Sequence, residues 1–312
     1  MKAVRIHEFG GREALQLESV PKPTPSLGEA LVKVHAAGVN PIDWKTREGV
    51  GLDVELPYTL GWDLSGTVEA VGDSVSSVSV GDDVIAMVPE WGTYAEYVAV
   101  PVATLIPKPS SLSHIDAAGA PLVGLTAWQA LFDEAELRPG QRVLVHAAAG
   151  GVGHLAVQLA NWNGAYTIGT ASDANRGYLD QLGLDEFVNY RDEAFESVVD
   201  QVDVVVDAVG NDVTVRSSET LNSGGHITKL TAPVSDEESR RVMAADGSLS
   251  YLLVQRRTEQ LRTLALLLET GDLKIRVDSV FPLEEVDAAH ERSESGHPKG
   301  KVILDVTSAK NI

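Results

Sequence analysis

The chain has no cysteine, and only ten lysines against fifteen arginines, among its 312 residues. Without thiols there are no disulfides, no thiolate nucleophile and no cysteine-ligated zinc. Aromatic residues are 5% of the chain, and no run approaches the ~18 consecutive apolar residues of a membrane-spanning helix. The alternating start, Met1-Lys2-Ala3-Val4-Arg5-Ile6, lacks the apolar core of a secretory leader. A soluble, cytoplasmic protein with no membrane partner is the expectation. Acid, by contrast, is abundant: 45 acidic against 25 basic side chains give a formal charge of -20. Such a surface repels phosphates, so nucleic acid and anionic membranes are excluded as partners. The lysine deficit fits a surface kept soluble at high salt, and equally an ordinary acidic cytoplasmic enzyme. With 44% hydrophobic and 22% charged residues the chain is globular. At about 150 residues per domain it divides into two.

The first hundred residues read as short strands. Residues 29–36, 66–71 and 83–88 alternate or are β-branched, separated by turn clusters such as Gly72-Asp73 and Gly81-Asp82. Close spacing of this kind predicts a small barrel. Beyond Asp116 the pattern changes. Residues 117–130 read as one alanine-rich helix, followed by strands at 142–145, 166–169, 187–188 and 202–206 alternating with helices at 153–161 and 176–182. Alternation predicts βαβ units on a parallel sheet. After a helix at 257–269, residues 278–281 and 301–304 resume the first character. The expected fold class is therefore α/β, with a barrel domain at 1–118, completed by 262–312, and an inserted parallel-sheet domain at 119–261.

The strongest local motif lies where the strand Val143-Leu144-Val145 meets a helix through Ala149, Gly150, Gly151, Val152 and Gly153. Strand, glycine turn and helix in that order form a dinucleotide fingerprint: glycines admit the pyrophosphate and the helix N-terminus faces it. Ala148 stands where the usual pattern has its first glycine. Asp173, about 20 residues on, has the spacing of an acid that binds the ribose hydroxyls of NAD. Ser172 and Arg176 instead suit a 2′-phosphate, and we favour NADPH, with NADH left open.

Six blocks in order resemble the medium-chain dehydrogenase/reductase superfamily, in its zinc-independent quinone oxidoreductase and alkenal/enone reductase branch. They are Asn40-Pro41-Ile42-Asp43 within residues 36–49, Gly61-Trp62-Asp63, Gly92-Thr93-Tyr94, Gly124-Leu125-Thr126, the turn at 147–153 and Gly300-Lys301. The resemblance covers nearly the whole chain. It implies a GroES-like barrel and a Rossmann doubly wound parallel-sheet domain. It also implies hydride transfer from NADPH to a quinone or an α,β-unsaturated carbonyl. Where zinc-dependent relatives have a ligating cysteine this chain has Asn40, and their Gly-His-Glu is Gly61-Trp62-Asp63, which implies no zinc.

The same resemblance nominates Asn40, Lys45 and Thr126 as catalytic. Asn40 would orient the substrate carbonyl or the nicotinamide ribose, Lys45 would stabilise enolate-like charge, and Thr126 would contact the nicotinamide. Tyr190 would lie by the adenosine 2′-phosphate and Asp207 at the cofactor-flanking turn. Tyr58, Trp62, Trp91 and Tyr94 would form an aromatic substrate pocket. Homodimer and monomer both fit the resemblance. Two rival functions stay open: a non-catalytic NADPH-binding protein of crystallin or sensor type, and an alcohol dehydrogenase.

Overall fold

The computed structural model describes residues 1–88 and 92–307; Trp91 lies outside them. The chain forms two compact units. The first comprises Met1–Leu122, Arg256–Gly271 and Ile275–Ile312, the second Val123–Gln255 and Asp272–Lys274.

In the first unit come β1 (Lys2–Ile6), β2 (Gln16–Ser19), β3 (Glu29–Val39), helix α1 (Pro41–Arg47), β4 (Tyr58–Thr59), β5 (Asp63–Val71), β6 (Asp83–Met87), β7 (Tyr97–Pro101) and β8 (Ile106–Pro107). Short helix α2 (His114–Ala118) follows. One sheet has the order β2-β1-β4. The long strand β3 anchors the other, pairing β5 along its length and β7 with its first half. Val4 and Ile6 of one sheet and Val32, Val34, Leu64 and Val84 of the other enter a single core, closed by Leu283, Val286 and Ala289. That shared interior makes the barrel.

Residues 117–130 are not one helix. The chain breaks at Gly119-Ala120 and restarts as α3 (Pro121–Trp128), which passes into a π-helical segment, Gln129–Glu134. Pro121 causes the break: it lacks the N–H that a continuing helix needs and disfavours α geometry in the residue before it.

The second unit carries β9 (Arg142–Val145), α4 (Gly153–Trp162), β10 (Tyr166–Ala171), β11 (Glu186–Asn189), β12 (Val202–Asp207), β13 (Leu221–Lys229) and β14 (Ser248–Tyr251). All pairs are parallel, in the order β11-β10-β9-β12-β13-β14. This is the 3-2-1-4-5-6 order of a doubly wound sheet, reversing between β9 and β12. The chain then returns to the first unit with β15 (Val277–Pro282) and β16 (Lys301–Asp305), and β16 pairs antiparallel with residues 36–39 of β3. Among the described residues no helix is long and apolar enough to cross a membrane.

Candidate active site

The glycine turn leaves the sheet beside the point where strand order reverses. Val143, Leu144 and Val145 are fully buried between β10 and β12. Past them, His146 N–H donates to Val206 O (3.0 Å) and Ala148 N–H to Thr170 O (3.0 Å), which ties the turn to both neighbouring strands. Between these anchors Ala147 takes a φ of +52°. Gly150 N–H then closes back on Ala147 O (2.9 Å), and His154 N–H on Gly150 O (3.1 Å). The amides of Ala149, Gly151 and Val152 take no part in these bonds and lie at the mouth of α4, where the helix dipole favours an anion. A Cβ at Gly153 would stand 2.3 Å from Ala147 O, so only glycine permits this close approach. Ala148 fits in place of the usual glycine because the facing residue is Gly169. A side chain there would meet the Ala148 methyl at 2.9 Å.

Two strand ends beside the turn carry the residues expected at the adenosine end. Ser172 follows β10 and Tyr190 follows β11; Tyr190 N–H donates to Ala171 O (3.3 Å) and its ring is half exposed. Arg176 pairs with Asp173 (3.3 Å) and lies over the Phe187 ring at 4.1 Å. Arg191, which sequence reading passed over, sets its guanidinium 5.8 Å from the Tyr190 ring. Asp207 is fully buried. Its Oδ1 accepts from Val209 N–H (2.9 Å) and Gly210 N–H (2.8 Å), and its Oδ2 from the Thr214 hydroxyl (2.5 Å). Its carboxylate therefore shapes the turn after β12. Thr126 is buried on α3.

In the first unit a buried polar cluster surrounds the start of α1. Pro41 opens the helix, where its missing N–H is no loss. Asp43, one turn in, accepts from Asn40 N–H (2.8 Å) and from the Tyr94 hydroxyl (2.9 Å). Asn40 Nδ2 donates to Asp63 (2.9 Å), and its Oδ1 accepts from the Lys301 ammonium (2.5 Å). Lys301 also donates to Val39 O (2.9 Å) and stands 3.6 Å from Asp63. Asp63 Oδ1 accepts from Leu122 N–H (2.8 Å).

Burial pushes Asp43 up to about 7 despite its two donors. Burial likewise raises Asp63 and lowers Lys301, each opposed by the attraction between the two. The Tyr94 hydroxyl is pushed well above its usual range, by burial first and by Asp43 second. Arg47, also buried, ends α1 by bonding Gly10 O, His290 and Glu294.

These contacts distribute the nominated residues. Asn40 is fully buried with its amide engaged at both ends, and Tyr94, expected in a substrate pocket, is sealed in the barrel core. Trp62 is buried, and Tyr58 is half-buried on β4. Lys45 is half-buried on α1, with Nζ 5.7 Å from the Trp44 ring. Sequence reading missed Asp63 and Lys301 as partners of Asn40. The only hint was that each falls inside a recognisable block.

Comparison with known proteins places both units in one family. Residues 26–110 match the family model described as an alcohol dehydrogenase GroES-like domain, and residues 182–304 match one described as a zinc-binding dehydrogenase. The quinone oxidoreductase of Mus musculus is 36% identical over 97% of both chains. The NADPH-dependent alkenal/one oxidoreductase of Arabidopsis thaliana is 34% identical over 97% of this chain and 79% of its own length. Among solved structures, the quinone oxidoreductase from Coxiella burnetii superposes with a TM-score of 0.92 at 39% identity, covering 98% of this chain and 99% of its own.

Proposed function

Since the chain belongs to the medium-chain dehydrogenase/reductase superfamily, in its quinone oxidoreductase branch, we propose that it is a zinc-independent NADPH-dependent reductase. Its acceptor would be a quinone or the β-carbon of an α,β-unsaturated carbonyl. The observation that carries this reading is the turn between β9 and α4, with Gly153 where a Cβ would stand 2.3 Å from Ala147 O and Gly150 where it would stand 3.1 Å from the same atom.

The turn fits a diphosphate. The amides of Ala149, Gly151 and Val152, outside the turn's own bonds, would receive its oxygens, with Gly150 and Gly153 allowing the approach. Ser172, Arg176 and Tyr190, joined by Arg191, would hold the 2′-phosphate. In a chain of net charge -20 an anion needs such a local concentration of cations. When bound, the reduced nicotinamide supplies the hydride. Thr126 would border that ring. Lys45 would stabilise the negative charge that gathers on the acceptor oxygen. Asn40 acts from behind, since its bonds to Asp63 and Lys301 fix the first turn of the helix that carries Lys45.

A catalytic zinc does not fit the donors present. Among the described residues no three His, Asp or Glu side chains gather as metal ligands. Asn40 Oδ1 and the Asp63 carboxylate are turned on the Lys301 ammonium, which a metal would have to displace.

Oxidation of NADPH, followed by its near-ultraviolet absorbance with 9,10-phenanthrenequinone and separately with an enone, tests the reading. Turnover with at least one acceptor, unaffected by chelator, is expected. Tight NADPH binding without turnover on either would make the chain a binding protein, and turnover that requires stoichiometric zinc would make it a dehydrogenase. Lys45→Ala is expected to lower kcat about a hundredfold, as for loss of one charge-stabilising donor, with NADPH affinity unchanged.

A further inference from the structure

We propose that His146 is the positioning residue of the dinucleotide turn: an imidazole of fixed tautomer that holds the reversal at Ala147, and through it the amides offered to the diphosphate. The inference rests on the NADPH reading above and adds a residue which that reading does not use.

His146 is fully buried and is the first residue beyond β9. It is held on three sides. Its N–H donates to Val206 O on β12 (3.0 Å), Nδ1 meets the Thr170 hydroxyl on β10 (3.0 Å), and Nε2 meets the Ser217 hydroxyl (2.9 Å) at the end of helix Asp212–Ser217. The Phe195 ring packs edge-on at 4.6 Å. The proton positions follow from donor arithmetic. Ser217 gives its only hydroxyl proton to Val213 O (2.6 Å), so towards His146 it can only accept. Nε2 therefore carries the hydrogen, and Nδ1 accepts from Thr170. Of the charged groups around the ring, Asp207 and Glu196 favour an imidazolium and Arg216 opposes it. Desolvation outweighs them and pushes the pKa to about 4, which leaves the ring neutral at physiological pH.

The next residue explains what these bonds accomplish. Ala147 has a φ of +52°, a region that side-chain-bearing L-residues avoid and keep only where their surroundings over-determine it. His146 supplies the restraint on one side of Ala147. On the other, Ala148 N–H is bound to Thr170 O (3.0 Å), the same residue whose hydroxyl His146 holds. Released from this brace, Ala147 would relax towards negative φ. Its carbonyl, on which Gly150 closes, would swing away together with the amides of Ala149, Gly151 and Val152.

The full-length protein provides the test. His146→Phe keeps a ring against Phe195 and removes both side-chain bonds. His146→Gln restores the donor to Ser217, and His146→Asn the acceptor for Thr170. Ala147→Gly permits positive φ without strain. With two hydrogen bonds lost, His146→Phe is expected to raise the Kd and KM for NADPH about tenfold or more, while kcat at saturating NADPH stays within about twofold. Gln and Asn should each recover part of the affinity. In an Ala147→Gly background the penalty of His146→Phe should shrink, because the brace has less to hold. In the wild-type protein, ¹⁵N NMR should show the Nε2–H tautomer, without titration at neutral pH.

An Nδ1–H tautomer, or full NADPH affinity in a folded His146→Phe of lowered Tm, would overturn the inference. The tautomer and the Gln and Asn variants decide the matter if Phe prevents folding. A wild-type protein that binds no NADPH would refute the functional reading and this inference together. Normal affinity in the variant refutes the inference alone.

Discussion

Asp43 keeps a carboxyl group in the barrel interior with Oδ2 satisfied by Asn40 N–H and the Tyr94 hydroxyl, and with Oδ1 lacking a hydrogen-bond partner among the described residues. Its pKa of about 7 lies above the unfolded value, so the folded chain holds this proton more tightly than the unfolded chain. The stability it contributes is complete below about pH 4 and is lost as the pH rises through about 7. Asp43→Asn keeps an acceptor for both donors and removes the ionisation. Thermal melts from pH 5 to 8 should therefore show a Tm that falls in the wild type relative to the variant. Parallel curves would mean that Asp43 does not titrate. The motif Asn40-Pro41-x-Asp43 drew attention to this segment in the sequence, but not to what completes it. Asn40 meets Asp63 across 23 positions and Lys301 across 261, separations that no local pattern links.

Among the elements, the β9–turn–α4 unit was legible because one local pattern, an apolar strand ending in glycines before a helix, encodes its geometry. The match of Ala148 to Gly169 was not legible, since it depends on which strand lies alongside. Strands β13 and β14 were not read from the sequence either. Gly224-Gly225 interrupts the first, with Gly224 at a φ of +76°, and in Ser248-Leu249-Ser250-Tyr251, a half-exposed sheet edge, the alternation runs for only four residues. Within the β9–turn–α4 unit the demand falls on Gly153, where a Cβ would stand 2.3 Å from Ala147 O. Gly153→Ala places a methyl group against Ala147 O, and the backbone there has no slack. A loss of about 1–3 kcal/mol in denaturant melts, as for overpacking, is expected together with weaker NADPH binding in a fluorescence titration. Unchanged stability and affinity would mean that the turn can open to admit the methyl.

At the scale of the molecule, the charge of -20 is spread over a surface where many ion pairs are exposed, such as Arg138–Glu136 and Arg262–Glu259, and contribute little. Mutual repulsion among carboxylates opposes the compact state, and salt shortens its reach from ~10 Å at 0.1 M to ~3 Å at 1 M. We expect the Tm to rise from dilute buffer to molar KCl; a flat response would separate the acidic excess from stability. Two domains, one inserted in the other, were legible from the change of periodicity near Asp116 and its reversal near the end. That reversal has a consequence for how the polypeptide is made. β16, the last of the described strands, adds to the sheet begun by β3, and Lys301 bonds Val39 across 262 positions. At typical elongation rates β3 would wait roughly a quarter of a minute to a minute for that neighbour, while the parallel-sheet unit has emerged and can fold. A half-made barrel, its edge unpaired for that interval, is the nascent form that chaperones would need to shield.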